Sequence, residues 1–220
     1  ATYEQIHRDV YSDYKLNSVA KRMRKIENNK LVKTYRARTL LEGKVVVTIT
    51  KQGFSCFVKD GLEKRIELKS DAVNHDLDLV DIRTKLLKQK RVKRYFTENE
   101  IQTWGHVLDD FHYSTLVELN SDAVLDIEFP RATLKVPLEY DATHKSNSRY
   151  GAMFSKYYSR DDTQIVLYIC QTERTMKQLM HLEKKEHTSN QPKLFYALKQ
   201  DILENELSKF KNCKGDELIL

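Results

Sequence analysis

The chain has 220 residues, of which 40% are hydrophobic and 32% charged, enough apolar side chains for a core and a charge content expected of a soluble protein. No apolar run approaches the ~18 residues of a membrane span, and the opening Ala1-Thr2-Tyr3-Glu4-Gln5 is not the basic-then-apolar start of a signal peptide. Cys56, Cys170 and Cys213 are far apart and show no C-x-x-C spacing, which excludes a zinc site or disulfide framework and leaves reduced thiols in a cytoplasmic protein with no membrane partner.

The net charge of +6 is unevenly spread. Residues 1–60 hold 13 Lys/Arg against 6 Asp/Glu, and the remaining residues hold 25 against 26. All the excess positive charge therefore lies in the first part, which favours a polyanionic partner there. Two domains are expected, 1–60 and 61–220, since domains cluster at about 100–150 residues and this length sits between one and two.

Residues 2–11 predict a short helix with Tyr3, Ile6 and Val10 on one face, ended at Ser12-Asp13. A second helix is expected over 15–29, with Leu16, Val19, Met23 and Ile26 facing inward. Lys21, Arg22 and Lys25 then share its outer face, with Asn17 and Ser18 near its start. Two β-like runs follow, 31–40 and 44–50, joined across Leu41-Glu42-Gly43, and Arg36 and Arg38 alternate along the first. Helix, helix, hairpin is the order of a winged helix-turn-helix. Its second helix enters the major groove of double-stranded DNA and its hairpin rides the backbone. The alternative is a solvated basic helix without a partner; the order of elements and the two wing arginines favour DNA. The usual first helix of such a module has no counterpart here, and the start reads as lying within a motif, so a fragment with weakened binding is expected.

A short helical exit over 51–60 ends at Gly61, and a charged stretch, 62–71, leads to a helix over 73–88. Leu77, Leu79, Val80, Ile82, Leu86 and Leu87 give that helix an apolar face, and Lys88-Gln89-Lys90-Arg91 sets cations at its negative end. Trp104, His106, Asp109 and Asp110 fall in a stretch with no assignable pattern, and His112, His144, His181 and His187 show no ligand spacing.

The stretch from Asp122 to Tyr150 is the most informative. Ala123, Leu125, Ile127 and Phe129 alternate with polar residues as in a half-buried strand, and after Pro130-Arg131 a second strand puts Leu134, Val136, Leu138 and Tyr140 on one face. A hairpin turning at 129–132 sets Ile127 opposite Leu134, Leu125 opposite Val136, Ala123 opposite Leu138 and Asp126 opposite Lys135. The same register sets Asp122 opposite Glu139, with Asp141 two residues on and on the same side. Like charges facing across a hairpin are destabilising unless a cation lies between them, and oxygen-only ligands suit Mg²⁺ or Mn²⁺. The plain alternative is that Glu139 and Asp141 mark the wet face and end of an edge strand.

Tyr150, Met153, Phe154, Tyr157 and Tyr158 then recur at the spacing of a core-facing helical stripe. Tyr150 is either a packed aromatic or a nucleophile at the mouth of the carboxylates, with Arg149 or Lys145 as phosphate clamp. A continuous β-rich run at 163–170, a helix over 173–185 and a strand at 193–197 complete a mixed α/β core.

The succession His75-Asp76-Leu77, Tyr95-Phe96-Thr97-Glu98, Ser121-Asp122-Ala123, Leu138-Glu139-Tyr140-Asp141 and Arg149-Tyr150 resembles the plasmid replication-relaxation proteins, in particular the MOBC-type relaxases. The resemblance runs from Thr2 to about Leu182 and implies a winged helix joined to a core of the restriction-endonuclease, PD-(D/E)xK type. It implies that Asp122, Glu139 and Asp141 bind a divalent metal, Mg²⁺ or Mn²⁺, that Arg149-Tyr150 is a basic–tyrosine catalytic pair, and that Glu98 matches an upstream acid. It implies nicking of one strand at an origin of transfer, with other relaxosome proteins and a coupling protein as partners. The second paired acid here is Asp rather than Glu and the basic residue Arg rather than Lys. A restriction enzyme would carry Lys where Asp141 stands, so a tyrosine nucleophile has room and simple hydrolysis has less. The rival reading is a non-enzymatic winged-helix regulator with a degenerate core.

Overall fold

The computed structural model describes residues 1–36, 44–56, 72–104, 116–187 and 191–220. They form two compact units, Ala1–Thr84 and Lys85–Leu220. The boundary expected between residues 60 and 61 lies outside the described residues. No described helix is long and apolar enough to cross a membrane.

In the first unit, helix α1 (Tyr3–Val10) starts with a reciprocal cap. The Thr2 hydroxyl accepts the Gln5 N–H at 3.2 Å while the Gln5 side chain accepts the Thr2 N–H at 2.9 Å, satisfying two donors that a helix start leaves open. Helix α2 (Leu16–Asn28) buries Val19 and Met23 against Val47, flanked by Tyr3, Ile6, Tyr11, Ile26 and Val32. Two residues expected inward are not: Leu16 is 40% and Val10 66% exposed. Both sit at helix ends beside the turn between α1 and α2.

Strands β1 (Val32–Arg36) and β2 (Val45–Ile49) pair antiparallel, Val32 opposite Ile49 and Arg36 opposite Val45. The Glu27 carboxylate accepts both the N–H and the hydroxyl of Thr34 at 2.7 Å, which ties α2 to β1. The turn at 41–43 and Arg38 lie outside the described residues. Helix α3 (Lys51–Ser55) is capped by Thr50, whose hydroxyl accepts the Gly53 N–H at 3.0 Å and donates to the Lys30 carbonyl. Gly53 is required here by close approach, because a Cβ would lie 1.9 Å from the Leu31 carbonyl oxygen. Helix α4 (Val73–Leu86) is fastened to α1 by Gln5 donating to the Leu77 carbonyl at 2.9 Å and by Arg8 paired with Asp81 at 2.7 Å. Its Ile82 and Leu86 are fully buried; Leu87, expected on that face, follows the helix end and is 44% exposed.

The second unit is built on a seven-stranded sheet in chain order: β3 (Val92–Thr97), β4 (Ala123–Phe129), β5 (Ala132–Asp141), β6 (Val166–Cys170), β7 (Leu194–Leu198), β8 (Lys209–Asn212) and β9 (Glu217–Ile219). β3, β4 and β5 form an antiparallel meander; β5, β6 and β7 are parallel; β8 and β9 return antiparallel. The parallel neighbours need crossover connections, supplied by α6 (Asn147–Tyr158) and α7 (Glu173–Glu186). A short α5 (Glu98–Trp104) follows β3, and α8 (Lys199–Glu204) follows β7. The architecture is α/β with a mixed, curled sheet.

The β4–β5 register matches the one expected from alternation, with Ala123 opposite Leu138, Leu125 opposite Val136, Asp126 opposite Lys135 and Ile127 opposite Leu134. β4 is not half-buried, however. Val124 is fully buried and Asp126 is 6% exposed, because both faces of the sheet are covered. One face carries Ala123, Leu125, Ile127, Leu138, Leu167 and Ile169, all at zero exposure, each worth up to about 1.5–3 kcal/mol for the larger side chains. The other packs Val124, Val166, Tyr168, Cys170, Leu194 and Tyr196 against Ile101 of α5, Tyr150, Phe154 and Tyr157 of α6, and Leu179 of α7.

Candidate functional site

Asp122 immediately precedes β4, while Glu139 and Asp141 close β5 at the end where parallel β5, β6 and β7 finish. That end of an α/β sheet is where ligand sites form, because the loops leaving the strands diverge there. Pairing puts Glu139 beside Tyr168 and Asp141 beside Cys170 on the face covered by α6 and α7. Helix α6 sits over it because its Tyr150, Phe154 and Tyr157 are all but completely buried at helical spacing.

Each carboxylate has its own environment. Asp122 accepts the Tyr140 N–H at 2.7 Å, and its backbone carbonyl accepts the Glu98 N–H at 3.0 Å. Glu98 thus starts α5 against Asp122, a helix opened by Thr97 and Glu100 capping each other. Glu139 accepts a hydrogen bond from the Tyr157 hydroxyl, and the Lys156 ammonium is 3.8 Å away. Its carboxyl is pushed up to about 7, first by burial and next by the charge of Asp122, with Tyr157, Lys156 and Lys145 opposing. Asp122 and Glu139 are therefore the repelling pair that the hairpin register implied.

Asp141 belongs to a different group. Its side chain is fully buried, its Oδ2 accepts the Tyr150 hydroxyl at 2.5 Å, and its Oδ1 lies 3.5 Å from the Lys145 ammonium without a hydrogen-bond partner. The Tyr150 oxygen also accepts the Lys145 N–H at 2.9 Å, and the His144 ring stands edge-on to the Tyr150 ring. Burial and the neighbouring Asp141 carboxylate both raise the Tyr150 hydroxyl above its ordinary value. They also raise the Cys170 thiol, burial being the larger cause. Arg149, on the same helix, is exposed.

The site residues expected from the sequence are thus gathered at one sheet end, with Tyr150 in the packed position that its stripe implied. Among the described residues, no group of three or more His, Cys, Asp or Glu side chains is arranged to hold a metal ion. The expected convergence of three carboxylates reduces here to one pair, Asp122 and Glu139, with Asp141 turned to Tyr150 and Lys145. A cavity of about 270 Å³ in this unit lies at the far end of β5, lined by residues including Thr133, Lys135, Asp162 and Gln164.

Glu183 of α7 was not singled out by sequence, yet it is 1% exposed and accepts hydrogen bonds from the hydroxyls of Tyr158 at 2.6 Å and Tyr196 at 3.0 Å. The signal was in the α6 stripe. Three of its five members are tyrosines, and a buried tyrosine hydroxyl requires an acceptor. Glu139, Asp141 and Glu183 are those acceptors, for Tyr157, Tyr150 and Tyr158 in turn.

In the first unit, Asn17, Ser18, Lys21, Arg22 and Lys25 are all exposed on α2, and Arg36 is exposed on β1. Arg22 differs from the others in being held. Its guanidinium lies 5.0 Å from the Tyr11 ring centroid and 5.1 Å from that of Tyr14. No protein-family model, curated protein or solved structure matches this chain.

Proposed function

We propose that this protein is a DNA strand-nicking enzyme of the plasmid relaxase type. Its first unit serves as a winged helix-turn-helix on double-stranded DNA at an origin of transfer. Its second unit serves as a restriction-endonuclease-like core. The carrying observation is the facing pair Asp122 and Glu139, with Glu139 raised to about 7, next to the Asp141–Tyr150 hydrogen bond at the strand ends. The meander followed by a helix and a parallel strand is also the element order of such a core.

Two carboxylates that repel one another through oxygen donors alone fit a hard divalent ion, Mg²⁺ or Mn²⁺. Asp122 and Glu139 would hold it, and when bound it would supply charge stabilisation at the scissile phosphate. Asp141 orients the Tyr150 hydroxyl and accepts its proton at Oδ2; the Tyr150 oxygen bonds to phosphorus as the P–O3′ bond breaks, and a proton from solvent water goes to the departing oxygen to give a free 3′-hydroxyl. Lys145 and the exposed Arg149 steady the phosphate charge. Relaxosome proteins and a coupling protein would be its partners.

The test is nicking of supercoiled origin plasmid with Mn²⁺. Glu139→Ala is expected to abolish open-circle product, and Tyr150→Phe to abolish any covalent protein–DNA adduct. Full nicking by Tyr150→Phe sinks the covalent step and leaves hydrolysis. No nicking by the wild type sinks both.

A second reading is favoured by a specific observation: Tyr150 is 1% exposed and Tyr157 fully buried, their hydroxyls occupied as donors to Asp141 and Glu139. On that reading the core is a degenerate nuclease scaffold and the protein is a winged-helix regulator of transcription or plasmid replication. It would bind DNA with undiminished affinity in Glu139→Ala and never nick.

A further inference from the structure

The turn between α1 and α2 holds a cavity of about 270 Å³ lined by Tyr11, Tyr14, Ser18, Val19 and Arg22. Its polar lining is a guanidinium and three hydroxyls, all able to donate, with no carboxylate among them. The acid of that turn, Asp13, takes the Ser12 hydroxyl at 3.3 Å. The walls are braced from behind. His7 of α1 contacts the Tyr14 carbonyl at 2.5 Å, the Tyr14 N–H donates to the Tyr11 carbonyl at 3.0 Å, and the two rings stand edge to face with centroids 6.0 Å apart. Tyr14 is nevertheless 51% exposed, so the cavity is reachable from solvent.

Arg22 lies on the flank of α2, at the border between the buried Val19–Met23 side and the outer face that carries Lys21 and Lys25. From there its side chain reaches the α1–α2 turn instead of projecting ahead of the helix. Besides lying over the two rings, the Arg22 guanidinium hydrogen-bonds to Tyr11 and Tyr14, which holds it in place and leaves its remaining N–H groups to be filled by an acceptor. A fixed fork beside three hydroxyls matches a tetrahedral oxyanion, which takes several donors at once.

We infer that Tyr11, Tyr14, Ser18 and Arg22 form a phosphate clamp that grips one backbone phosphate of duplex DNA and so sets the register of α2. This rests on the DNA-binding reading of the first unit and assigns Arg22 a different task from its neighbours. Lys21 and Lys25 contribute diffuse, interchangeable charge. Arg22 contributes geometry. Phosphate contacts of this kind position a protein on the duplex without reading its sequence. The choice of DNA over a free phosphate follows from the excess of 13 Lys/Arg over 6 Asp/Glu in residues 1–60, a charge balance suited to a polyanion.

The test uses the whole 220-residue chain and a short random-sequence duplex, followed by fluorescence anisotropy over a range of salt concentrations. Arg22→Lys keeps the net charge and is expected to weaken binding about tenfold, the loss of a charge-assisted bidentate contact. Tyr14→Leu removes no charge and is expected to weaken it by a similar factor, while Tyr14→Phe, which keeps the ring, loses less. Lys177→Arg, a charge-conserving exchange on α7 of the second unit where Lys177 pairs with Glu173, should bind as the wild type does. Wild-type affinity in Arg22→Lys would overturn the clamp and leave Arg22 as one more surface cation. A duplex bound by neither wild type nor variants, at any salt, instead removes the DNA reading itself and the clamp with it. A last arm titrates inorganic phosphate against the Arg22 side-chain resonance. Saturation by phosphate, with no response to duplex, assigns the site to a free anion and overturns the backbone assignment.

Discussion

Replacing Glu139 by glutamine is expected to make the protein more stable than the wild type at about pH 8 and to leave stability near pH 4 unchanged. The Glu139 carboxyl is raised from 4.5 to about 7 by burial and by Asp122. Between those values the folded protein keeps a proton that the unfolded chain has released. Stability from this group is therefore fully present below about 4.5 and is lost as pH rises through about 7. At about 1.4 kcal/mol per pH unit, the loss across the window is on the order of 3 kcal/mol. The side chain is only 13% exposed, so solvent screening removes little of it. Glutamine resembles the neutral acid, still accepts from Tyr157 and does not titrate. Urea unfolding of both proteins, measured with chelator at several pH values across the window, gives the comparison. Wild-type stability that does not fall across the window, or a glutamine variant that falls in parallel with it, would refute the assignment of the raised carboxyl to Glu139.

Other outcomes follow from the same contacts. Gly53→Ala forces the Leu31 carbonyl away from a Cβ only 1.9 Å distant, and is expected to destabilise the first unit by about 3 kcal/mol, read as a lowered thermal midpoint. Glu183→Ala strands the Tyr158 and Tyr196 hydroxyls and should cost about 3 kcal/mol in urea unfolding, against about 1 kcal/mol for Tyr196→Phe. Lys21→Ala with Lys25→Ala is expected to weaken duplex binding on every sequence and to lower the slope of affinity against salt by about 1.8, at about 0.9 per phosphate contact.

Much of the fold is legible in the chain because it rests on local patterns. The β4–β5 hairpin follows from a period of two on each side of Pro130-Arg131, so its register could be written residue by residue. The α6 stripe follows from helical spacing, and the charge excess in residues 1–60 from counting. β3, α5 and the β8–β9 hairpin escaped. β3 exposes Lys93 and Arg94 in succession, which hides the alternation, and β8 offers a single buried aromatic, Phe210. Their strand character comes from neighbours that cover them.

The candidate site divides in the same way. Alternation alone sets Asp122, Glu139 and Asp141 on one face of one sheet end, because side-chain direction in a strand is a property of the backbone. What each carboxylate does there was decided by the covering helix. α6 brings Tyr157 to Glu139 and Tyr150 to Asp141, so that the strand end is covered rather than the wet edge of the plain alternative, and the trio becomes a repelling pair and a tyrosine-bound single. Sequence fixes direction through local geometry. Desolvation and partner identity depend on residues from other elements, and only tertiary packing brings those within reach.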